Sequence, residues 1–427
     1  HLSHTDVGYT DLQEQVIYNQ ANNIRRAVEL IEEGLEKGTN QKDLKWNCET
    51  WYCVEQFLKV ATKEEKKAFF DLVKKNSIGL SANYLNFNDL ADCEYLTEKI
   101  NDMQEVCAKE GVTVKTAMFA DINGISMGQR DAMLANGVEF LYTNIHTHHG
   151  MYPLYQNQKP YFWENEDGKR LLVWSGEHYN LGNALGIVFN KNVNFMTENY
   201  FGKAQGDAAG ALEKLHSNLI ASMEEYEENG YPYDFYITSV SGVFSDNAPI
   251  NPAIADTVAL FNEKYGEEVT MRMVTLQELY DLIRDKVADA PVYRGAINDW
   301  WGNGVGSTPY AVKHYKEAVR LNRICDRLEE KTGVHNAELV KAYGDNSLLY
   351  AEHTWGYSAT ITNPYDTMVT NLDMRKNSYA SKAHEAAAMR KNEQCHLLGD
   401  ILRYYNLSGK VKAVSTSHEK RVFPVEF

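Results

Sequence analysis

No apolar run in this 427-residue chain approaches the roughly 18 residues needed to cross a bilayer, so a transmembrane reading is removed. Basic residues are in short supply: 43 Lys and Arg stand against 59 Asp and Glu, a net charge of −16. With no basic patch to offset it, that charge repels phosphate backbones and anionic surfaces, and neither nucleic acid nor a membrane is an expected partner. Cysteine is sparse as well. The six, at positions 48, 53, 93, 107, 325 and 395, contain no C-x-x-C pair, which excludes a disulfide scaffold and predicts reduced, buried thiols. Internal repeats and low-complexity tracts are missing. The chain opens on His1, already inside what reads as a loop. It is therefore expected to be a soluble segment of a longer polypeptide, with any targeting signal upstream and its compartment unknown.

What is present is enough chain for one large domain and a smaller one, with 44% hydrophobic and 24% charged residues. Short β-rich runs recur at Leu44–Cys48, Ile78–Ala82, Val114–Phe119, Phe140–Asn144, Leu171–Trp174, Phe235–Val240 and Val269–Val274. Helical patterns lie between them, at 11–37, 54–75, 92–109, 127–136, 207–229, 251–265 and 275–288. Most of the strand runs are apolar on both alternating faces, as strands covered on both sides are. The expected fold class is α/β: a parallel (β/α)7-type barrel over residues 1–294, with polar residues collected at the strand C-termini. From Pro309 the pattern changes to long helices at 309–331, 335–351 and 372–405. That reads as a three-helix bundle over 295–409, joined through the Gly-rich loop Gly295–Thr308, with 410–427 the start of a β-rich segment or tail.

Chemistry-bearing residues sit where such strands end. His4 and Asp6, in H-T-D followed by Gly8, Tyr9 and Thr10, share one face of an extended segment and together offer nitrogen and oxygen to a divalent metal. Taken alone, the pair is equally compatible with a turn and a satisfied histidine. Asp121 directly follows the Val114–Phe119 run, where a carboxylate points into a barrel mouth; its plain alternative is a capping or turn residue, although Ser126 is placed to cap the next helix. His353, at the end of the second bundle pattern, reads either as a further ligand or as a histidine on a helix dipole. His146-Thr147-His148-His149 contains a chelating H-x-H but no carboxylate in its own loop, which favours a solvated loop with His146 lining the cleft. Glu49, Asn86 and Asp89 follow the second and third strands as hydroxyl binders or as turn residues. The aromatic content of 11%, with 27 tyrosines, suits sugar faces and ordinary cores alike.

These islands resemble the α-mannosidases of glycoside hydrolase family 38. That family opens its catalytic domain with H-x-D-x-G-[WY], carries a nucleophilic aspartate in a D-x-[FN]-G-x-S context, and completes a zinc site with a histidine from the following helices. His4, Asp6, Asp121 and His353 match in order and spacing. The segment D-W-W-G-N-G-V-G-S-T-P, Asp299 to Pro309, is similar to the family's Y-W-T-G-x-x-T-S-R-P, which places Trp301 at the sugar-facing tryptophan. Asp246, in G-V-F-S-D-N-A-P, stands at the usual acid/base position, and Tyr9 where tryptophan often lies under the sugar. Three positions depart from the pattern. Asn123 replaces a phenylalanine, Asn144 replaces an arginine beside the nucleophile, and Glu352-His353-Thr354 replaces H-H-D, so Thr354 takes the place of a hydroxyl-binding aspartate. The chain is identified as a divergent relative.

The resemblance implies one Zn²⁺ per chain on His4, Asp6, Asp121 and His353, Asp121 as nucleophile, Asp246 as acid/base, and Tyr9, Asn123, Asn144, Trp301 and Thr354 on the sugar. It implies a carbohydrate substrate and a retaining reaction; a homo-oligomer is left open. Two rivals stand beside it. A metal-dependent polysaccharide deacetylase wants a histidine pair at helical spacing, and the sequence has no H-x-x-x-H. A catalytically inactive carbohydrate-binding relative would suit Asn144 and Thr354, but not the intact Asp121 and Asp246.

Overall fold

The computed structural model describes residues 1–147, 150–188, 208–241, 246–297, 299, 301–404, 415, 416, 419 and 422. His148, His149 and almost all of the 410–427 segment lie outside the described residues. Among the described residues seven strands are present: β1 (Trp46–Cys48), β2 (Ile78–Leu80), β3 (Thr116–Asp121), β4 (Phe140–Ile145), β5 (Lys159–Glu164), β6 (Arg170–Gly176) and β7 (Val292–Tyr293). The helices are α1 (Gln13–Lys37), α2 (Trp51–Val60), α3 (Lys63–Lys74), α4 (Cys93–Lys109), α5 (Met127–Ala135), α6 (Leu181–Leu185), α7 (Ala208–Glu228), α8 (Ala253–Tyr265), α9 (Leu276–Ile283), α10 (Asn303–Ser307), α11 (Pro309–Thr332), α12 (Ala337–Ala351) and α13 (Thr367–Tyr404).

The chain divides into two compact units. One comprises His1–Gly304 with Ala351–Leu372, the other Val305–Tyr350 with Asp373–Phe427. The first holds all seven strands. Its larger sheet runs β3-β4-β6-β5-β7, parallel except for the β5–β6 pair, and β1 and β2 form a separate parallel pair. Every residue of β3 and β4 is buried, the signature of strands covered on both faces. Met118, Phe140, Tyr142, Leu172 and Trp174 pack with Leu276, Leu279 and Ile283 of α9 into one core. Leu185, Leu212, Leu215, Ile254 and Phe261 form another, between α6, α7 and α8. In the second unit Ala318 and Leu321 of α11 meet Tyr343 of α12 and Ala383, Ala386 and Ala387 of α13; the small residues let the helices approach closely.

The architecture is thus mixed α/β with a predominantly parallel sheet, and several expected elements differ in detail. The pattern over 54–75 becomes two helices. Thr62 breaks it: its hydroxyl accepts from Glu65 N–H at 3.2 Å while the Glu65 carboxylate accepts from Thr62 N–H at 2.7 Å, a reciprocal cap that starts α3. Among the described residues Phe235–Val240 and Val269–Val274 form no ladder; the first accepts two single backbone bonds, from Leu2 N–H to Val240 O at 3.0 Å and from Gly182 N–H to Ser239 O at 2.8 Å. β5 is an added strand. It returns antiparallel on β6 through the turn Asn165–Gly168, where Gly168 has a φ of 77°, a left-handed conformation that glycine adopts at little cost. Other single bonds lie beside the sheets: Asn47 N–H to His1 O at 2.9 Å and Ala82 N–H to Thr116 O at 2.9 Å.

Candidate metal centre

His4 and Asp6 lie on an N-terminal segment whose backbone is held by side chains rather than by a ladder. Thr5 N–H donates to Glu49 at 3.3 Å, Asp6 N–H to Asn247 Oδ1 at 2.9 Å, and Val7 N–H to Glu352 at 3.4 Å. Three consecutive peptide donors are thereby answered by residues from three distant parts of the first unit. Asp121 is the last residue of β3 and has a φ of 77°. This strained conformation for a non-glycine residue turns its carboxylate out of the strand's alternation. His353 follows α12 within the Ala351–Leu372 segment, so it belongs to the same compact unit as His4, Asp6 and Asp121. Its N–H donates to Asn86 O at 2.8 Å.

The four side chains converge. One nitrogen or oxygen from each of His4, Asp6, Asp121 and His353 lies within 4.8 Å of the others, and all four residues are buried. His4 Nε2 is 3.1 Å from Asp6 Oδ1 and 3.9 Å from Asp121 Oδ2; His353 Nε2 is 3.4 and 3.3 Å from the same two oxygens. Both Nε2 atoms, Asp6 Oδ2 and Asp121 Oδ1 are buried without a hydrogen-bond partner. Each ring has a carboxylate behind it: Glu49 hydrogen-bonds His4 Nδ1 at 3.1 Å, and Glu352 forms an ion pair with His353 Nδ1 at 2.9 Å without hydrogen-bond geometry. A carboxylate on Nδ1 places the proton there and turns the Nε2 lone pair inward, the arrangement that surrounds metal-bound histidines. Two nitrogens and two carboxylates with unanswered inward atoms fit a divalent cation.

The electrostatics agree. Burial alone would lower the His4 pKa, but the Glu49 and Asp6 carboxylates outweigh it and hold the ring well above the ordinary histidine range. His353 behaves likewise, with burial outweighed by Glu352, Asp121 and Asp6. Burial would raise Asp121, yet its contact with His353 and the charge of His4 hold it well below the usual carboxylate range. The cluster demands positive charge, which protons on the rings or a cation can supply. Asp246 is pushed the other way, up to about 6, first by burial and then by the charge of Asp6. Tyr179 donates to its Oδ1 at 2.9 Å and stacks on His4 at 4.6 Å.

The structure also places the other sequence-derived candidates. Trp301 meets the rings of His146 and His353 at 5.7 Å each. Tyr9, at a φ of 56°, is bridged to Tyr357, and its hydroxyl pKa is raised by partial burial and then by the charges of Asp6, Asp246 and Asp121. Asn123 Nδ2 donates to His146 O at 2.9 Å; the Oδ1 atoms of Asn123 and Asn144 are buried without partners. Thr354 donates its hydroxyl to Glu352 at 2.7 Å, which ties it to the orientation of His353. Asn86 is a buried hub that donates to Glu49 at 2.5 Å and accepts from Ala120 N–H at 3.2 Å, while Asp89 sits exposed on a turn. The sequence reading missed Glu352, Tyr179 and Asn247, and it gave Glu49 no part in orienting His4. Glu352 carried one usable signal, its adjacency to His353. Asn247 carried the same kind of signal, next to Asp246, and nothing local marks Tyr179.

No family model matches the chain, and no curated protein matches it. Solved structures do. An α-mannosidase from Enterococcus faecalis V583 superposes with a TM-score of 0.65 at 15% identity, over 93% of this chain and 42% of its own. A second Enterococcus faecalis protein, of glycosyl hydrolase family 38, gives 0.55 at 13% identity, over 93% and 39%. The fold is therefore similar to that of family 38 structures, and this chain spans less than half the length of either.

Proposed function

We propose that this chain is the catalytic part of a zinc-dependent, retaining glycoside hydrolase of α-mannosidase type. The observation that carries the reading is the buried convergence of His4, Asp6, Asp121 and His353, with Glu49 and Glu352 behind the two rings, in a fold similar to that of an α-mannosidase. Zinc suits two imidazoles and two carboxylates. When bound there it would supply Lewis acidity to adjacent sugar hydroxyls and offset charge as the ring becomes oxocarbenium-like.

The chain's own residues would do the rest. Asp121, held at a strained strand end with a depressed pKa, is the nucleophile, because a carboxylate that stays ionised and fixed can attack the anomeric carbon. Asp246, with its raised pKa, holds the proton that passes to the leaving oxygen, and then takes one from the water that releases the glycosyl group. Tyr9 and Trp301 flank the sugar, with Asn123, Asn144 and Thr354 at its polar edges.

The closed-barrel architecture belongs to the same reading. Val240 bonds to Leu2, His1 to Asn47, β1 to β2, Ala82 to Thr116, β3 to β4, and β4 to β6. The circuit returns through Gln158, which accepts from Trp174 of β6 at 3.0 Å and donates to Ile237 O at 2.7 Å. We read residues 1–294 as that barrel, 295–409 as the helical part, and 410–427 as the start of a β-rich segment or tail.

The test is turnover of an aryl α-mannoside by zinc-loaded protein, with the anomer first formed read by NMR. Retention of configuration is expected. Inversion would remove Asp121 from the nucleophile's role, and release of acetate from an N-acetylated polysaccharide without glycosidase activity would favour a deacetylase.

A further inference from the structure

Tyr179 touches both halves of the proposed chemistry. Gly176, the last residue of β6, lies level with Asn144 of β4, which lies level with Ala120 of β3. The segment that follows β6 therefore emerges at the end of the sheet where Asp121 sits. Tyr179 is 3% exposed. Its ring stacks on His4 at 4.6 Å with 19° between the planes, and on His178 at 4.1 Å with 30°. Its hydroxyl donates to Asp246 Oδ1 at 2.9 Å. One buried side chain thus meets a residue of the metal set and the carboxyl assigned as acid, and a phenol keeps its proton to donate at neutral pH.

The backbone beside Asp246 is held by other groups. Asn247 Oδ1 accepts from Asp6 N–H at 2.9 Å and from Gln20 Nε2 at 3.3 Å, and Asn23 Nδ2 donates to Asn247 O at 3.3 Å. Gln20 and Asn23 are buried residues of α1, so these bonds fasten the loop to a long helix. They fix where the loop lies but not how the Asp246 carboxyl is turned. That rotation is left to the Tyr179 hydroxyl. A donor on Oδ1 favours the form of the acid in which Oδ1 is the carbonyl oxygen and Oδ2 carries the proton.

We propose that Tyr179 is a positioning residue that makes Oδ2 of Asp246 the proton-donating atom and, through its stack on His4, keeps that atom in register with the metal centre. The inference rests on the glycosidase reading and adds to it the device that aims the acid. In the first half-reaction the Oδ2–H bond breaks and its proton passes to the glycosidic oxygen. The bond from that oxygen to the anomeric carbon breaks, a bond from Asp121 to the same carbon forms, and the aglycone leaves as a neutral alcohol. A carboxyl free to rotate is turned away for part of the time, which slows those reactions whose leaving oxygen needs the proton.

The test is Tyr179→Phe, which keeps a ring against His4 and removes the O–H. Two properties are measured on zinc-loaded protein. The first is kcat/KM for an α-linked mannose disaccharide and for dinitrophenyl α-mannoside, whose leaving group needs little protonation. The second is the infrared carbonyl band of Asp246 below about pH 6, where it holds its proton, isolated by subtracting the spectrum of the same protein carrying Asp246→Asn. The variant is expected to keep one zinc per chain and to lose on the order of tenfold on the disaccharide and far less on the aryl mannoside. Its Asp246 band should move to higher frequency, because a carbonyl that gives up a hydrogen bond stiffens. Equal losses on the two substrates, no loss on either, or an unmoved band would overturn the assignment. So would loss of zinc from the variant, which would make Tyr179 a support of His4 alone. A wild type that cleaves neither sugar while the band shift is intact strikes the glycosidase reading instead.

Discussion

At the scale of single residues, the proposed division of labour between Asp121 and Asp246 rests on opposite shifts produced by one buried environment. Asp121 has two imidazoles beside it and stays ionised; Asp246 has carboxylates nearby and a tyrosine donor, and holds its proton up to about 6. Activity that needs the protonated Asp246 should fall as pH rises through about 6, because the acid form is lost above its pKa. A pH profile of kcat/KM with natural oligosaccharide reads this limb. Asp246→Asn should remove the limb and slow natural substrates far more than activated aryl glycosides, whose leaving groups need little protonation. Equal loss on both would take Asp246 out of the acid's role. Glu352→Gln tests the carboxylate behind His353: without it, zinc affinity should fall about 10- to 100-fold while the metal-free variant melts close to the metal-free wild type.

The legibility of the sequence also divides at this scale. His4, Asp6 and Asp121 were readable because each follows from a local rule: an i, i+2 pair on an extended segment, and a carboxylate directly after a both-faces-apolar strand. Glu49, Tyr179 and Asn247 act through partners far away in sequence, such as Asn247 on Asp6, and no local pattern encodes that pairing. Asp121 carries a further feature that composition does not reveal, its left-handed backbone.

At the scale of elements, periodicity located nearly every helix and failed at breaks and returns. The apolar pattern continues through Ala61 and Thr62, but the side-chain cap of Thr62 stops α2 and starts α3. Thr62→Ala should cost about 1 kcal/mol. A urea titration reads it as a lower midpoint with unchanged slope, and an unchanged midpoint would mean the cap adds nothing. β5 was missed because a hairpin return does not fit the strand–helix alternation assumed around it, and Pro160 weakens the local strand signal. Phe235–Val240 has strand composition yet accepts single backbone bonds from Leu2 and Gly182 rather than joining a ladder among the described residues. Composition specifies burial here, while pairing depends on where the neighbouring segment runs.

At the scale of the whole molecule, the first unit gathers His4, Asp6, Glu49, Asp121, Glu352 and His353, all buried, around one point. Four carboxylates with two imidazoles are costly to bury without added positive charge, so a bound cation should contribute to folding stability by mass action. Chelation at neutral pH should lower the melting temperature, and added zinc should restore it; an unchanged melting curve would place the ion outside the folded core. The most direct measurement of the central claim is zinc per chain, after exhaustive dialysis, in wild type and His353→Ala. One ion in the wild type and none in a variant that still melts cooperatively is the predicted result; full occupancy in His353→Ala would contradict it.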